Sequence, residues 1–183
     1  LVLAAVLGVF ATLAVAAVAT LMATPAHAAS DSGSGLNYTD NGSSITIDGF
    51  TGTCPATLVI PDQINSGGTF KNVTTIGYQA FYSNTQIVHV TLGAHVTSID
   101  TWAFTSATNL TDIALGSSLT SIGQEAFFGA TGLTGINLPS TVTTIGVGAF
   151  RGTTSLTGTV TIPNGVQTVS GEAFYGSNLT GVT

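Results

Sequence analysis

The sequence predicts a β-rich solenoid, in which short repeats stack into a right-handed coil around one continuous core. An Ala-Phe dipeptide recurs along the chain with spacings of 23, 23, 23 and 24 residues. A β-branched apolar residue stands five positions before each Phe. The Phe residues are Phe81, Phe104, Phe127, Phe150 and Phe174, and their apolar partners are Ile76, Ile99, Ile122, Ile145 and Val169. A period of this length is typical of repeats that bury their apolar sides only against one another.

Each repeat is expected to contain two short strands and a short helical turn. In the repeat that begins at Leu110, Ile113 and Leu115 are separated by one residue, so both side chains point to one face of a first strand. A second short strand fits Leu119 to Ile122, and Gln124 to Phe127 suits one helical turn with the Phe pointing inward. The opening L-x-x-I-x-L is the strand signature of leucine-rich repeats. The predicted fold class is therefore a leucine-rich-repeat solenoid.

The N-terminal part of the sequence predicts an export signal and a linker. Residues 1–28 are read as a signal peptide, because an uncharged apolar run ends in the A-x-A pattern Ala26-His27-Ala28. The charged n-region is missing, so we expect the natural chain to begin earlier. Cleavage after Ala28 is the favoured reading, and an uncleaved membrane anchor is the alternative. Residues 29–35 have the Ser- and Gly-rich composition of a flexible linker.

A cap and an irregular array are expected after the linker. Residues 36–56 are predicted to form an N-terminal β-hairpin cap, with its turn at Asp40-Asn41-Gly42. Residues 57–183 are assigned to about five repeats. An insertion around Ile64 to Lys71 is expected to form a surface loop or small hairpin, and a bulge or wider turn is expected near Gly158. No cap is recognisable at the C-terminal end, so we expect the array to continue beyond Thr183.

Composition excludes several classes of function. Charged residues make up 5% of the chain, and Lys71 and Arg151 are its only basic residues, against a net charge of −6. A nucleic-acid-binding protein needs a basic surface, and none is available here. The single cysteine, Cys54, is read as a small buried residue, with a reactive thiol or an intermolecular disulfide as the alternatives. The sequence lacks catalytic motifs and clusters of metal ligands, so neither an enzyme nor a cofactor is predicted.

The repeat resembles the BspA-type leucine-rich repeats, a family of bacterial and protozoan surface proteins. The unit from Leu133 to Gly152, LTGINLPSTVTTIGVGAFRG, shows the resemblance best, and it extends from about Ala56 to the end of the chain. The family often carries a Cys shortly after the A-F-x-G, where this chain has Asn84, Ala107, Ala130, Thr153 and Ser177. The resemblance implies a secreted or cell-surface protein that mediates adhesion.

The outward positions of the first strand are the predicted binding face, which we call the strand face. In solenoids these positions form a contiguous surface. Its residues are small, polar and nearly uncharged, and they suit contacts with an extracellular protein or a glycan. The strand face consists of Thr57, Val59, His89, Thr91, Asp112, Ala114, Asn137, Thr159 and Thr161.

Four side chains require a separate interpretation. His89 and Asp112 are expected to be neighbours on adjacent repeats, either as a plain surface contact or as an acid/base or cation site. His95 is expected in an exposed loop. Trp102 is expected to be partly buried against a neighbouring repeat, with an exposed contact residue as the alternative.

The predicted function is therefore a non-catalytic module for adhesion or for binding a protein or glycan. Two alternatives remain open from the sequence. The repeats could form a structural spacer within a larger surface protein, or their threonine ladders could form a flat ice-binding surface.

Overall fold

The computed structural model describes residues 28–30 and 35–183. The predicted signal peptide except Ala28, and residues 31–34 of the predicted linker, lie outside the described residues. The described part contains fourteen strands: β1 (Ala28–Ser30), β2 (Leu36–Asp40), β3 (Ser44–Phe50), β4 (Thr57–Val59), β5 (Gln63–Ser66), β6 (Thr69–Ile76), β7 (His89–Thr91), β8 (Ser98–Ile99), β9 (Asp112–Ala114), β10 (Ser121–Ile122), β11 (Thr144–Ile145), β12 (Thr157–Val160), β13 (Thr168–Val169) and β14 (Asn178–Val182). Over those same residues, no helix has the length and apolar character needed to span a bilayer.

The second strands of the repeats pair in parallel within one nine-stranded sheet, which confirms the predicted stack. Strands β6, β8, β10, β11 and β13 follow one another in this sheet. Their register aligns one β-branched residue from each repeat in a column: Ile76, Ile99, Ile122, Ile145 and Val169. The first four members of this column are fully buried. We call each turn of the coil a rung.

The first strands of the rungs form two separate sheets. Strands β4, β7 and β9 form a three-stranded parallel sheet, and β12 pairs with β14 further along the chain. Between them, residues 135–137 belong to no strand. This interruption begins at Gly135. Glycine loses more backbone conformational entropy in a strand than any other residue type, which disfavours strand pairing here. The register of β12 and β14 shifts between Gly158 and Thr159, at the place where the sequence predicts a bulge.

A ladder of stacked phenylalanine rings runs through the core. Phe81, Phe104, Phe127, Phe150 and Phe174 stack with ring centroids 5.2–5.3 Å apart. The last three pairs are nearly parallel, with interplanar angles of 2–4°. Their spacing is close to the distance between hydrogen-bonded strands, so the backbone ladder sets the stacking of the rings.

The segment around each Phe is a run of turns, and the short helical turn predicted there does not occur among the described residues. The residue two positions before each Phe has a left-handed backbone conformation, with φ between 51° and 61° at Gln79, Trp102, Glu125, Gly148 and Glu172. A left-handed residue reverses the local twist and prevents a helical hydrogen-bond ladder. Successive backbone N–H groups therefore alternate between acceptors in their own rung and acceptors in the next rung. The Ala80 N–H donates to the Gly77 carbonyl within its own rung, whereas the Phe81 N–H donates to the Ala103 carbonyl on the next rung at 2.7 Å.

The N-terminal cap is a β-hairpin, as the sequence predicts. Strands β2 and β3 pair in antiparallel fashion. Strand β3 also pairs with β6 in parallel and places Ile47 beside Ile76, so Ile47 extends the β-branched column by one position. Ile47 is fully buried. The cap therefore replaces a rung at this end of the stack.

The insertion in the first repeat forms a second hairpin. Strands β5 and β6 pair in antiparallel fashion around a turn at Gly67 and Gly68, both of which have positive φ. Ile64 on β5 is fully buried against the core. Strand β1 pairs in parallel with the outer edge of β5.

Candidate functional site

All nine predicted residues of the strand face have exposed side chains. The sheet of β4, β7 and β9 brings six of them into two columns of adjacent residues. One column contains Thr57, His89 and Asp112, and the other contains Val59, Thr91 and Ala114. Of the remaining three residues, Asn137 lies within the interruption at residues 135–137, and Thr159 and Thr161 lie beyond it; no strand pairing joins any of the three to the first six.

His89 and Asp112 form the contact that the sequence predicts. The His89 Nδ1 atom contacts the Asp112 Oδ2 atom, and the Thr111 hydroxyl donates to the same carboxylate oxygen at 3.3 Å. Both side chains are at least half exposed, at 50% and 59%. Among the described residues, no group of three or more His, Cys, Asp or Glu side chains is placed to hold a metal ion. An exposed pair of this kind contributes little to stability.

The other predicted side chains lie where the sequence places them. His95 is exposed, and Trp102 is half-buried. The Trp102 ring lies 5.4 Å from the Tyr78 ring, and its Nε1–H donates to the Glu125 carboxylate at 2.9 Å. Trp102 is thus packed between the rung before it and the rung after it.

Cys54 is a buried thiol at the edge of the cap. Its backbone N–H donates to the Gln86 side chain at 2.9 Å. Burial raises the pKa of the thiol, and a hydrogen bond with Asn84 partly opposes this. A raised pKa keeps the sulfur protonated, and a protonated thiol is a poor nucleophile. The geometry matches the interpretation of Cys54 as a small buried residue.

A second surface, which the sequence analysis did not identify, carries two of the four exposed aromatic side chains of the described residues. We call it the turn face, and define it as the positions two residues before and one residue after each Phe of the ladder. The positions after the Phe are Tyr82, Thr105, Phe128, Arg151 and Tyr175. Tyr82 and Tyr175 are 50% and 66% exposed. The signal available in the sequence was the recurrence of large aromatic residues directly after the Ala-Phe dipeptide.

Threonine hydroxyls on the second sheet have a structural role. Thr97, Thr120 and Thr143 each donate to a backbone carbonyl of the preceding rung, at 3.0–3.2 Å. Thr111 and Thr134 make the same bond near the first strands. These hydroxyls therefore connect neighbouring rungs through carbonyls of the coil.

Comparison with known proteins places the chain in a family. The model of the BspA type leucine rich repeat region matches residues 63–180 in six copies. None of the curated proteins matches the chain.

Two solved structures are similar to the chain over 81% of its length. A leucine rich repeat protein of T. pallidum has 29% identity and a TM-score of 0.74, and the match covers 68% of that protein. A leucine rich cell surface protein of Faecalibacterium prausnitzii has 28% identity and a TM-score of 0.73, and the chain spans only 41% of it. The match to the family model covers more than half of the chain, so this protein belongs to the BspA-type leucine-rich-repeat family.

Proposed function

We propose that the chain is a non-catalytic binding module of a secreted or cell-surface protein, and that it binds an extracellular protein or glycan through the strand face. The observation that carries this proposal is the in-register, exposed sheet of β4, β7 and β9. Exposed positions that repeat rung by rung form the extended surfaces through which solenoids contact their partners.

The hydroxyl groups support this choice of surface. On the second sheet, Thr97, Thr120 and Thr143 use their hydroxyl hydrogens to bond carbonyls of the coil. On the strand face, no side-chain hydrogen bond joins Thr57 or Thr91 to any other described residue. Their donors remain available to a ligand, and hydroxyl groups suit sugars as well as peptide groups.

Binding assays on purified residues 29–183 test the proposal. The protein is screened against immobilised extracellular-matrix proteins and a glycan array. A Thr91→Arg variant places a bulky cation in the centre of the strand face and is expected to lower the affinity for any partner found by at least tenfold. Gln167→Arg, on the exposed second-sheet side of the last complete rung, is the matched control and is expected to bind normally. Folded protein that binds nothing contradicts the proposal and favours the spacer function.

The proposed location has its own test. The cell-surface description of the F. prausnitzii protein and the A-x-A pattern before residue 29 both support export. When the gene is expressed in a bacterium with its leader, we expect the exported protein to begin at Ala29. Retention of residues 1–28 in the exported form favours the membrane-anchor alternative.

A further inference from the structure

The turn face contains a cation site occupied by the protein's own arginine. The Arg151 guanidinium lies over the Phe128 ring, 5.6 Å from its centroid, and over the Tyr175 ring, 5.5 Å from its centroid. Its Nη1 atom pairs with the Glu172 carboxylate at 2.8 Å. Phe128, Arg151 and Tyr175 occupy the same position on three consecutive rungs. One planar cation therefore fills the gap between two aromatic rings that are two rungs apart.

The same arrangement recurs two rungs earlier without the arginine. Tyr82 and Phe128 are again two rungs apart, about 10 Å at the ~4.8 Å spacing of paired strands. The residue between them is Thr105, which occupies the Arg151 position but is short and 4% exposed. Glu125 stands in the position of Glu172, on the rung after the gap. The short side chain leaves a cleft of about 290 Å³.

The walls of this cleft match a guanidinium group. Tyr82 and Phe128 line the cleft from the rungs on either side of Thr105, and Trp102 and Glu125 are also part of its lining. The Trp102 Nε1–H donates to the Glu125 Oε2 atom at 2.9 Å, which fixes the carboxylate beside the cleft. Aromatic faces attract cations, and a planar guanidinium both stacks on rings and pairs with a carboxylate.

We propose that this cleft binds the guanidinium group of an arginine side chain presented by a partner protein. The bound arginine would occupy the place that Arg151 fills two rungs further along. The net charge of −6 favours the approach of a basic partner. The site lies on the turn face, so it goes beyond the proposed function of the strand face and does not depend on it.

Intrinsic fluorescence provides a direct test, because Trp102 lines the cleft and is the only tryptophan in the chain. The purified protein is titrated with acetyl-Gly-Arg-Gly-amide, with the matched citrulline and lysine peptides, and with methyl glycosides. We expect a saturable change in fluorescence with the arginine peptide at millimolar concentrations. We expect at least threefold weaker binding of the lysine peptide, and no binding of the citrulline peptide.

Three variants locate the binding. Glu125→Gln removes the charge without changing the shape and is expected to weaken arginine binding about tenfold. Thr105→Arg reproduces the Arg151 arrangement inside the cleft and is expected to abolish binding. Large side chains occupy the equivalent position in other rungs, namely Tyr82, Phe128 and Arg151, so we expect the Thr105→Arg variant to fold. Thermal melting checks that it does. Phe70→Ala alters an exposed aromatic residue outside the cleft and is expected to have no effect.

Several results would overturn the proposal. Equal binding of the citrulline and arginine peptides would exclude a cation site. Arginine binding that survives both Glu125→Gln and Thr105→Arg would place it elsewhere on the protein. A fluorescence change with glycosides that arginine neither causes nor competes with would show that the cleft is a sugar site. None of these outcomes bears on the strand-face assays, which use a different surface and a different readout.

Discussion

Ile47 and Val169 stand at opposite ends of the same column of β-branched side chains, but their surroundings differ. Ile47 lies in the hairpin cap and is fully buried, whereas Val169 lies in the last complete rung and is 41% exposed. The residue type and the local strand are similar, so the difference comes from the neighbours. In a stack, one rung is buried by the next, and burial is not a property of the repeat itself.

The largest contrast is expected in the phenylalanine ladder. Phe127 is fully buried between two other rings, while Phe174 is half-buried and stacks on one side only among the residues that the structure describes. We expect Phe127→Ala to lower the free energy of unfolding by about 3–5 kcal/mol, and Phe174→Ala to cost roughly half as much or less. Urea denaturation followed by circular dichroism measures both. Equal losses would show that the two ends of the ladder are equally well covered.

A second contrast compares the two ends of the β-branched column directly. Ile47→Ala removes buried methyl groups from the cap and is expected to cost about 2–4 kcal/mol. Val169→Ala removes partly solvated groups and is expected to cost less than about 1 kcal/mol. Hydrogen exchange localises the damage, since the loss at Ile47 should raise the exchange of amides in β6. If protection in β6 is unchanged, the hairpin does not act as a cap.

The parts of the fold that the sequence predicts correctly are those marked by a residue that recurs in every rung. Residues that repeat every rung, such as Phe127 and Ile122, identified the stack and its core. The left-handed conformation at Trp102 and Glu125 was not visible in the sequence, because neither residue favours it and Gly occurs there in only one rung. A helical turn was therefore predicted in place of alternating turns.

The two candidate surfaces also differ in how far the sequence predicts them. The columns of the strand face followed from strand alternation over β4, β7 and β9, and they stopped at Gly135, whose effect on pairing no periodicity reveals. The cleft on the turn face requires Tyr82, Thr105 and Phe128 to be read together. They are 23 residues apart, and each looks like an ordinary variable position on its own. Only the three-dimensional register shows that a short residue separates two aromatic ones.

A smaller contrast concerns the threonine hydroxyls that connect rungs. Thr120 donates its hydroxyl hydrogen to the Thr97 carbonyl at 3.0 Å, and Gln167 holds the corresponding position in the last complete rung. Thr120→Val is expected to lower the free energy of unfolding by about 1 kcal/mol. Gln167→Val is expected to change it by less than about 0.5 kcal/mol. Thermal melts of both variants make the comparison. An unchanged stability of Thr120→Val would show that water hydrogen-bonds the freed Thr97 carbonyl equally well.

The smallest effect is expected from the ion pair that joins the cap to the second hairpin. The Lys71 ammonium, the Ser66 hydroxyl and the Gly42 N–H all bond to Asp40 and lower the pKa of its carboxyl to about 2. The ionised form is therefore favoured in the folded state. Its stabilisation is present above the ordinary pKa near 3.8 and is lost as the pH falls through about 2.

We expect Asp40→Asn to melt below the parent protein at pH 7, because the ionised carboxyl and its bonds are lost. The difference should shrink as the pH is lowered through the acidic range, where Asp40 itself becomes neutral. Melting temperatures of both proteins as a function of pH provide the measurement. High salt should reduce the difference at pH 7, since the pair is partly exposed. A difference that is independent of pH would mean that the charge of Asp40 is unimportant.

The left-handed residues of the turns carry a thermodynamic cost that glycine would avoid. A left-handed backbone costs a residue with a side chain about 1–2 kcal/mol, while glycine adopts it freely. Gly148 shows that glycine fits this position, but Gln79, Trp102, Glu125 and Glu172 occupy it in the other rungs. The coil thus gives up several kcal/mol of potential stability to display these side chains. Replacing Trp102 or Glu125 by glycine should relieve backbone strain, but it would also remove the hydrogen bond between these two side chains and part of the lining of the cleft. On the turn face, the backbone conformation and the side-chain contacts therefore favour different residues.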